Sequence, residues 1–324
     1  MKRVQNTAHT NQLWNKNDFI TIGVSGGPDS MALLAFLNEL KVSYNFSLFV
    51  AHVNYGLRGK ESNLDEQLVR SFCTLHNLPF FLHKPKSIKK DENSLRKERF
   101  LFFEKVKAQT HSQAIALAHH KNDQAETVFF RFMRGGGRKG LSGMRVKNGS
   151  YIRPFLFIEK QDILSFVKEN NIPYRIDASN LQCDFTRNRI RNRILPFLEK
   201  EMHPHIISIL SQTGEIFSQE DAFLNNELRN HFQFTKKSSN EVSFSLSHWS
   251  SLHRALQRRA LLLCIDTLSE NVTSAQDISY SRIEEIRNML ENAKPKHQKK
   301  VFLGLILERK GDKVTLFSEK NVSS

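Results

Sequence analysis

The chain has 324 residues, and its 48 Lys and Arg against 33 Asp and Glu give a formal net charge of +15. At 39% hydrophobic and 25% charged it is long enough for about two domains, while no run approaches the ~18 apolar residues of a membrane span and MKRVQNTAHT lacks a secretory apolar core. Cys73, Cys183 and Cys264 are isolated, which argues against a zinc site, an iron–sulfur cluster or a disulfide scaffold; the expectation is a cytoplasmic protein off the membrane, with nucleic acid the first acidic partner to consider.

In chain order, Phe19–Val24, Ser47–Val53, Phe80–His83 and Ala114–Ala118 are short apolar runs that predict buried strands. Each is followed by a segment with helical spacing: Asp29–Leu40, Glu61–His76, Ser94–Ala108 and Asn122–Arg134. This alternation predicts βαβ units in a doubly wound, mostly parallel sheet, with the ligand at the carboxyl ends of the strands. A glycine-rich segment, Gly135 to Gly140, precedes an extended stretch to Phe157, a helix over Glu159–Asn170, and a helix over Arg187–Lys200 interrupted at Pro196. Beyond a boundary near residues 203–215, helices are predicted over Ile206–Phe234, Trp249–Leu268 and Ser281–Asn292, and strands over Val301–Glu308 and Val314–Phe317. The predicted division is therefore a catalytic α/β domain over 1–205 and a smaller helix-rich α+β domain over 206–324.

Charge follows that division. Residues 1–200 hold 32 basic and 18 acidic side chains, whereas residues 201–324 hold 16 and 15. Between Thr127 and Ile158 there are seven basic residues and no acid. So one-sided a stretch favours a polyanion contact over a merely solubilising loop.

Ser25-Gly26-Gly27-Pro28-Asp29-Ser30 follows the first strand and opens a helix. The glycines allow a sharp turn and close backbone approach, and the helix start offers N–H groups to an anion. The loop lacks the lysine of a Walker A sequence and the third glycine of a dinucleotide fingerprint. Asp29 is a candidate Mg2+ ligand or loop organiser. The segment resembles the SGGxDS pyrophosphate loop of ATP pyrophosphatases. His52-Val53-Asn54-Tyr55-Gly56-Leu57-Arg58, the stretch from Leu117 to Thr127, Arg134-Gly135-Gly136-Gly137, Arg153-Pro154-Phe155, Asp177-Ala178-Ser179-Asn180 and Arg187-Asn188-Arg189-Ile190-Arg191 narrow the resemblance to the tRNA(Ile)-lysidine synthetases, over about residues 18–200.

That resemblance implies ATP-dependent ligation of L-lysine to C2 of the wobble cytidine of a CAU-anticodon isoleucine tRNA, through an adenylated tRNA. It places Ser25, Gly26, Gly27, Pro28, Asp29 and Ser30 around the pyrophosphate of ATP with Mg2+, and adenine near Ala51 and His52. Asp123 and Glu126, three apart and so on one helix face, match the family's lysine-binding acids; helix N-terminal acids favouring the dipole are the plainer alternative. Arg96, Arg99 and Arg187 are candidates for tRNA or phosphate contact and Arg191 for the adenylate or RNA, against a solvated helix face for the arginines other than Arg191; Arg134 and Arg138, from the acid-free stretch, are further tRNA or phosphate candidates, against a solubilising loop. Tyr55, Phe100 and Asn122 depart from common family residues. Family members are often dimers and use a C-terminal domain on the tRNA; the chain ends where shorter members end, with no further domain expected. A tRNA sulfurtransferase with the same ATP loop, which generally needs a catalytic or cluster-binding cysteine, and a non-enzymatic RNA-binding module are the competing readings.

Overall fold

In the computed structural model, Lys2–Thr10 forms helix α1, with Val4 and Ala8, four apart, buried against the main core. The structure describes residues 2–86, 89, 91–135, 138–176, 186–238, 240–268, 278–292, 297–302 and 304–318, so Asp177 to Asn180, Cys183, Gly136 and Gly137 lie outside the described residues, as does the side chain of Arg138. The alternating elements then follow: β1 (Phe19–Gly23), α2 (Pro28–Tyr44), β2 (Ser47–Val53), α3 (Lys60–Leu75), β3 (Phe80–His83), α4 (Glu92–Gln109), β4 (Ala114–Ala116) and α5 (Lys121–Met133). After a short α6 (Arg138–Leu141) come β5 (Lys147–Asn148), β6 (Tyr151–Ile152) and α7 (Lys160–Glu169).

The six strands lie in the order β3-β2-β1-β4-β6-β5, all parallel except β5 against β6. Strand order reverses between β1 and β4, so a crevice opens at their carboxyl ends, the usual ligand position in such sheets. Ile20 and Ile22 of β1 and Met31, Leu33, Leu34 and Leu37 of α2 are fully buried, which is why these segments are continuously apolar rather than alternating. Phe155, Leu156, Ile158 and Ile163 carry the same core to the start of α7.

The predicted break at Pro196 is not observed. α8 (Thr186–Arg189) runs into a π-helical turn, Ile190–Ile194, and then α9 (Leu195–Glu201), with Pro196 in the first turn of α9. Pro196 has no N–H to donate, and just before it Leu195 N–H reaches back five residues to Ile190 O. The ladder widens where an ordinary turn cannot continue.

The chain divides into two compact units at Ser218/Gln219, within α10 (Ile206–His231). The second unit holds β7 (Thr235–Ser238), β8 (Glu241–Ser245), α11 (Leu246–Ser251), α12 (Arg254–Leu268), α13 (Tyr280–Glu291), β9 (His297–Phe302), β10 (Leu305–Lys310) and β11 (Lys313–Ser318). Its antiparallel sheet runs β7-β8-β11-β10-β9, and its core gathers Trp249, Leu261, Ile265, Ile286, Leu307 and Leu316. The single strand expected over Val301–Glu308 is two, reversed at Gly304 with φ +74. The helix expected over Trp249–Leu268 is likewise two, because Leu252 is extended and the His253 side chain accepts Ala255 N–H at the new start. Among the described residues no helix is long and apolar enough to cross a membrane.

Candidate functional site

At the end of β1 a Cβ on Gly23 would lie 2.7 Å from the Phe103 ring, so the strand leaves the sheet through a position only glycine fills. The loop follows. Ser30 Oγ ties it together: it accepts Ser25 N–H at 3.1 Å, donates to Gly27 O at 3.0 Å, and lies 3.1 Å from Ser25 Oγ. Gly27 caps α2 with no side chain and Pro28 fills its first turn, so no cap side chain competes for the helix's N–H groups.

Gly26, at φ +93, passes so close to α3 that a Cβ would meet that of Asp65 at 3.3 Å. Asp65, 6% exposed, takes Arg58 Nη2 at 2.6 Å and Arg175 Nε at 2.9 Å. Arg175 also donates its backbone N–H to Gly26 O at 3.0 Å and pairs with Glu61. Asp65 and Arg175 thus buttress the loop from elements 110 positions apart. Neither carries a sequence signal, since each is an ordinary surface-type charge until the fold joins them. Arg58, in the motif after β2, serves the same support.

Asn54 of that motif donates to Glu66 Oε2 at 2.9 Å, and Arg70 and Lys84 reach the same carboxylate at 3.1 and 2.7 Å. Burial opposes ionisation of Glu66, but the bonds from Lys84, Asn54 and Arg70 hold its pKa down at about 2. A depressed folded value means stabilisation present above the unfolded value near 4.5 and lost as pH falls toward 2. Glu66→Gln is therefore expected to cost about 2 kcal/mol at pH 7 and much less at pH 3, by urea denaturation at the two pH values.

Asp29 faces the crevice from the first turn of α2. Lys160 Nζ, at the first residue of α7, bonds both its oxygens, at 2.5 and 2.6 Å. Across the crevice, His120 caps α5 at the end of β4: its Nδ1 accepts Asn122 N–H at 3.2 Å, while its N–H is taken by Asp123 Oδ2 at 3.0 Å. Burial pushes its pKa down, so the ring is neutral near pH 7. With Nδ1 an acceptor, the proton sits on Nε2, which points between Asp29 at 3.8 Å and Asp123 at 3.6 Å. The loop and the acid pair are thereby sides of one site.

Asp123 and Glu126 do share one face of α5, and Arg191 occupies it. Its Nε lies 2.6 Å from Glu126 Oε1, and its Nη2 lies 2.6 Å from Asp123 Oδ1 and 3.0 Å from Glu126 Oε2. The π-helical turn delivers this arginine. Arg187 Nε approaches Glu126 at 3.8 Å while its Nη2 donates to Thr127 at 2.8 Å. Burial opposes ionisation of Asp123, but His120 and Arg191 hold its pKa below the ordinary value. Glu126, 1% exposed, is pushed up by burial in spite of Arg191.

Ala51 and His52 offer less to a ligand than their position suggests. Ala51 is buried, with its carbonyl taken by Val24 N–H at 3.0 Å. His52 donates Nδ1–H to Val24 O at 2.8 Å, leaving a buried Nε2 acceptor with no partner. The arginines separate into two groups. Arg96 and Arg99 lie over Phe100, at 4.9 and 5.8 Å from its centroid, and Phe100 packs on Tyr151. Tyr55 OH donates to Leu95 O at 2.7 Å, so two of the three departures from the family residues, Tyr55 and Phe100, have found local partners. Arg134 is exposed and lies over Phe130. In the acid-free stretch, however, Arg131 and Arg153 turn inward. Arg153 is buried, donates to Arg145 O at 2.8 Å and has its pKa lowered to about 10 by burial and Arg96.

Arg131 donates to Gly140 O and Gly143 O, and buried Gln124 is bonded twice to Met144, so the stretch from Gly140 to Met144 is docked on α5. A Cβ on Gly143, at φ +59, would lie 2.6 Å from Gln124 Nε2. Gly143→Ala is expected to cost about 3 kcal/mol. Gly149→Ala, at φ +58 with nothing within 4 Å, should cost about 1 kcal/mol, and chemical denaturation of the two variants separates clash from backbone strain.

Residues 2–198 match the PP-loop domain family. The tRNA(Ile)-lysidine synthase of Clostridium tetani is 33% identical over 295 residues, covering 88% of this chain and 62% of the relative; that of Bacillus subtilis is 34% identical over 91% of this chain and 64% of its own. The chain thus spans a little over three fifths of the length of these curated relatives. That of Clostridioides difficile is 30% identical over 99% of this chain and 71% of its own. A U34-tRNA thiolase from Methanococcus maripaludis, 20% identical, shares the fold with a TM-score of 0.54, over 67% of this chain and 78% of its own. The chain belongs to the PP-loop family and, within it, to the tRNA(Ile)-lysidine synthase family.

Proposed function

We propose that the protein ligates L-lysine to C2 of the wobble cytidine of a CAU-anticodon isoleucine tRNA at the expense of ATP. The observation that carries this reading is that His120 Nε2 lies 3.8 Å from Asp29 and 3.6 Å from Asp123, so the phosphate loop and the acid pair face each other across one imidazole. In the first step the cytosine C2 oxygen attacks the α-phosphorus and pyrophosphate leaves, drawn toward the loop and the α2 N-terminus. In the second the lysine ε-amine attacks C2 and AMP leaves. Asp123 and Glu126 would receive the lysine ammonium in place of the Arg191 guanidinium. Glu126, with its raised pKa, is the better acceptor for the proton the amine must lose.

Mg2+ fits as a companion of the nucleotide. Among the described residues no cluster of three or more His, Cys, Asp or Glu side chains could hold a metal, and Asp29 supplies a single carboxylate, the usual protein share for Mg2+ on phosphates. When bound it would offset phosphate charge. Arg134 and Arg138 would meet the tRNA phosphates, as the acid-free stretch between Thr127 and Ile158 suggests, and the exposure of Arg134 supports that part.

The described cysteines do not favour the sulfurtransferase reading. Among the described residues, Cys73 and Cys264 are buried free thiols whose pKa burial pushes up to about 12, so neither of these two is a nucleophile at neutral pH. The test is incubation with ATP, labelled lysine and a CAU-anticodon isoleucine tRNA transcript. Label entering the tRNA with release of AMP and pyrophosphate is expected; no transfer by folded protein would overturn the reading.

A further inference from the structure

We infer that Lys160 is the pyrophosphate-binding cation of this site, the counterpart, delivered from α7, of the lysine that the loop itself lacks. The inference rests on the ATP-dependent reading above. Ser25 to Ser30 holds no basic side chain and one carboxylate, so a triphosphate entering it meets repulsion from Asp29. Part of the loop's donor capacity is already used, with Ser25 N–H on Ser30 Oγ and Gly27 N–H on Ser25 Oγ. Among the described residues the other positive candidates around the loop are paired or uncharged before lysine enters: Arg58 and Arg175 with Asp65, Arg191 with Asp123 and Glu126, and His120 neutral by burial. Lys160 bonds both oxygens of Asp29, the loop's own carboxylate, from 131 positions along the chain.

Its location is fixed independently of that bond. Lys121 Nζ holds Glu159, the residue before α7, at 2.9 Å, and Lys121 N–H donates to Ile158 O at 3.0 Å. Buried Ile158 and Ile163 seat this end of α7 in the same core as α2. The first position of a helix is where the dipole disfavours a cation, so local preference does not explain a lysine there. An anion within its reach does. At about a third exposed, the Lys160 amine opens to the crevice and can exchange one Asp29 oxygen for a phosphate oxygen.

Lys160 then recognises the part of ATP that AMP lacks. Titration calorimetry of the full chain with ATP and with AMP, without tRNA, tests this. Lys160→Met is expected to weaken ATP binding about ten- to hundredfold, the worth of a charged hydrogen bond to phosphate, and to leave AMP affinity within about twofold. Lys160→Arg is expected to keep ATP affinity within about fivefold of the original chain. Unchanged ATP affinity in Lys160→Met, or a parallel loss for ATP and AMP, would overturn the assignment. The lysine-transfer assay separates the two levels: transfer by the original chain with Lys160-independent ATP binding sinks only this inference. Lysine-independent chemistry with Lys160-dependent ATP binding sinks only the ligase reading.

Discussion

Arg191→Ala is expected to destabilise the protein by about 2–3 kcal/mol near neutral pH, because it leaves the buried Glu126 and the half-buried Asp123 without their shared, partly solvated cation. Glu126 is 1% exposed and, among the described residues, would keep Arg187, 3.8 Å away, as its nearby cation. The pH dependence identifies the cause. Asp123 has a depressed pKa, held down by His120 and Arg191, so its contribution is present above the unfolded value of 3.8 and lost as pH falls through the folded one; removing Arg191 forfeits the arginine's share of it above that value. Glu126 has a raised pKa, which costs stability as pH climbs from the unfolded value of 4.5 to the folded one, and removing Arg191 raises it further. Both deficits grow with pH. Denaturation at pH 4 and pH 7.5 should show a small difference from the original chain at the first and the full loss at the second; a deficit equal at both would mean Arg191 acts through packing alone.

Asp29→Asn is expected to lower AMP formation by about two to three orders of magnitude while tRNA binding is unchanged, since it removes the loop's one carboxylate, the partner of the Lys160 amine and the candidate Mg2+ ligand, but nothing that faces the nucleic acid. Both groups are partly solvated, so the stability change should stay within about 1 kcal/mol. AMP release in single turnover and tRNA retention on filters are the two measurements. Loss of tRNA affinity in this variant would show that Asp29 organises more than the nucleotide end of the crevice.

The elements legible in the sequence were those with a strong local cause. β2 and β3 match their apolar runs, and α5 begins within a residue of its predicted start because His120 and Asp123 build a capping box there. β7 was illegible, since Thr235–Ser238 is exposed throughout and has no alternation to find. Val301 to Glu308 looked continuous because Phe302 and Leu305 flank the turn and both enter one core, so hydropathy alone does not show the reversal at Gly304.

The same distinction holds at the site. By itself the sequence determined a phosphate loop after the first strand, two acids on one helix face, and a positive charge concentrated in the first 200 residues. These are local spacings and counts, and they do not depend on what lies across the crevice. Only the tertiary structure decided which charges meet. It turned Arg131 and Arg153 inward, set Arg191 across Asp123 and Glu126, joined Asp65 and Arg175 behind the loop, and brought Lys160 to Asp29. Pairings between residues 65 to 131 positions apart follow from strand order and helix docking, and a charged side chain bears no mark in the sequence of which opposite charge it will reach.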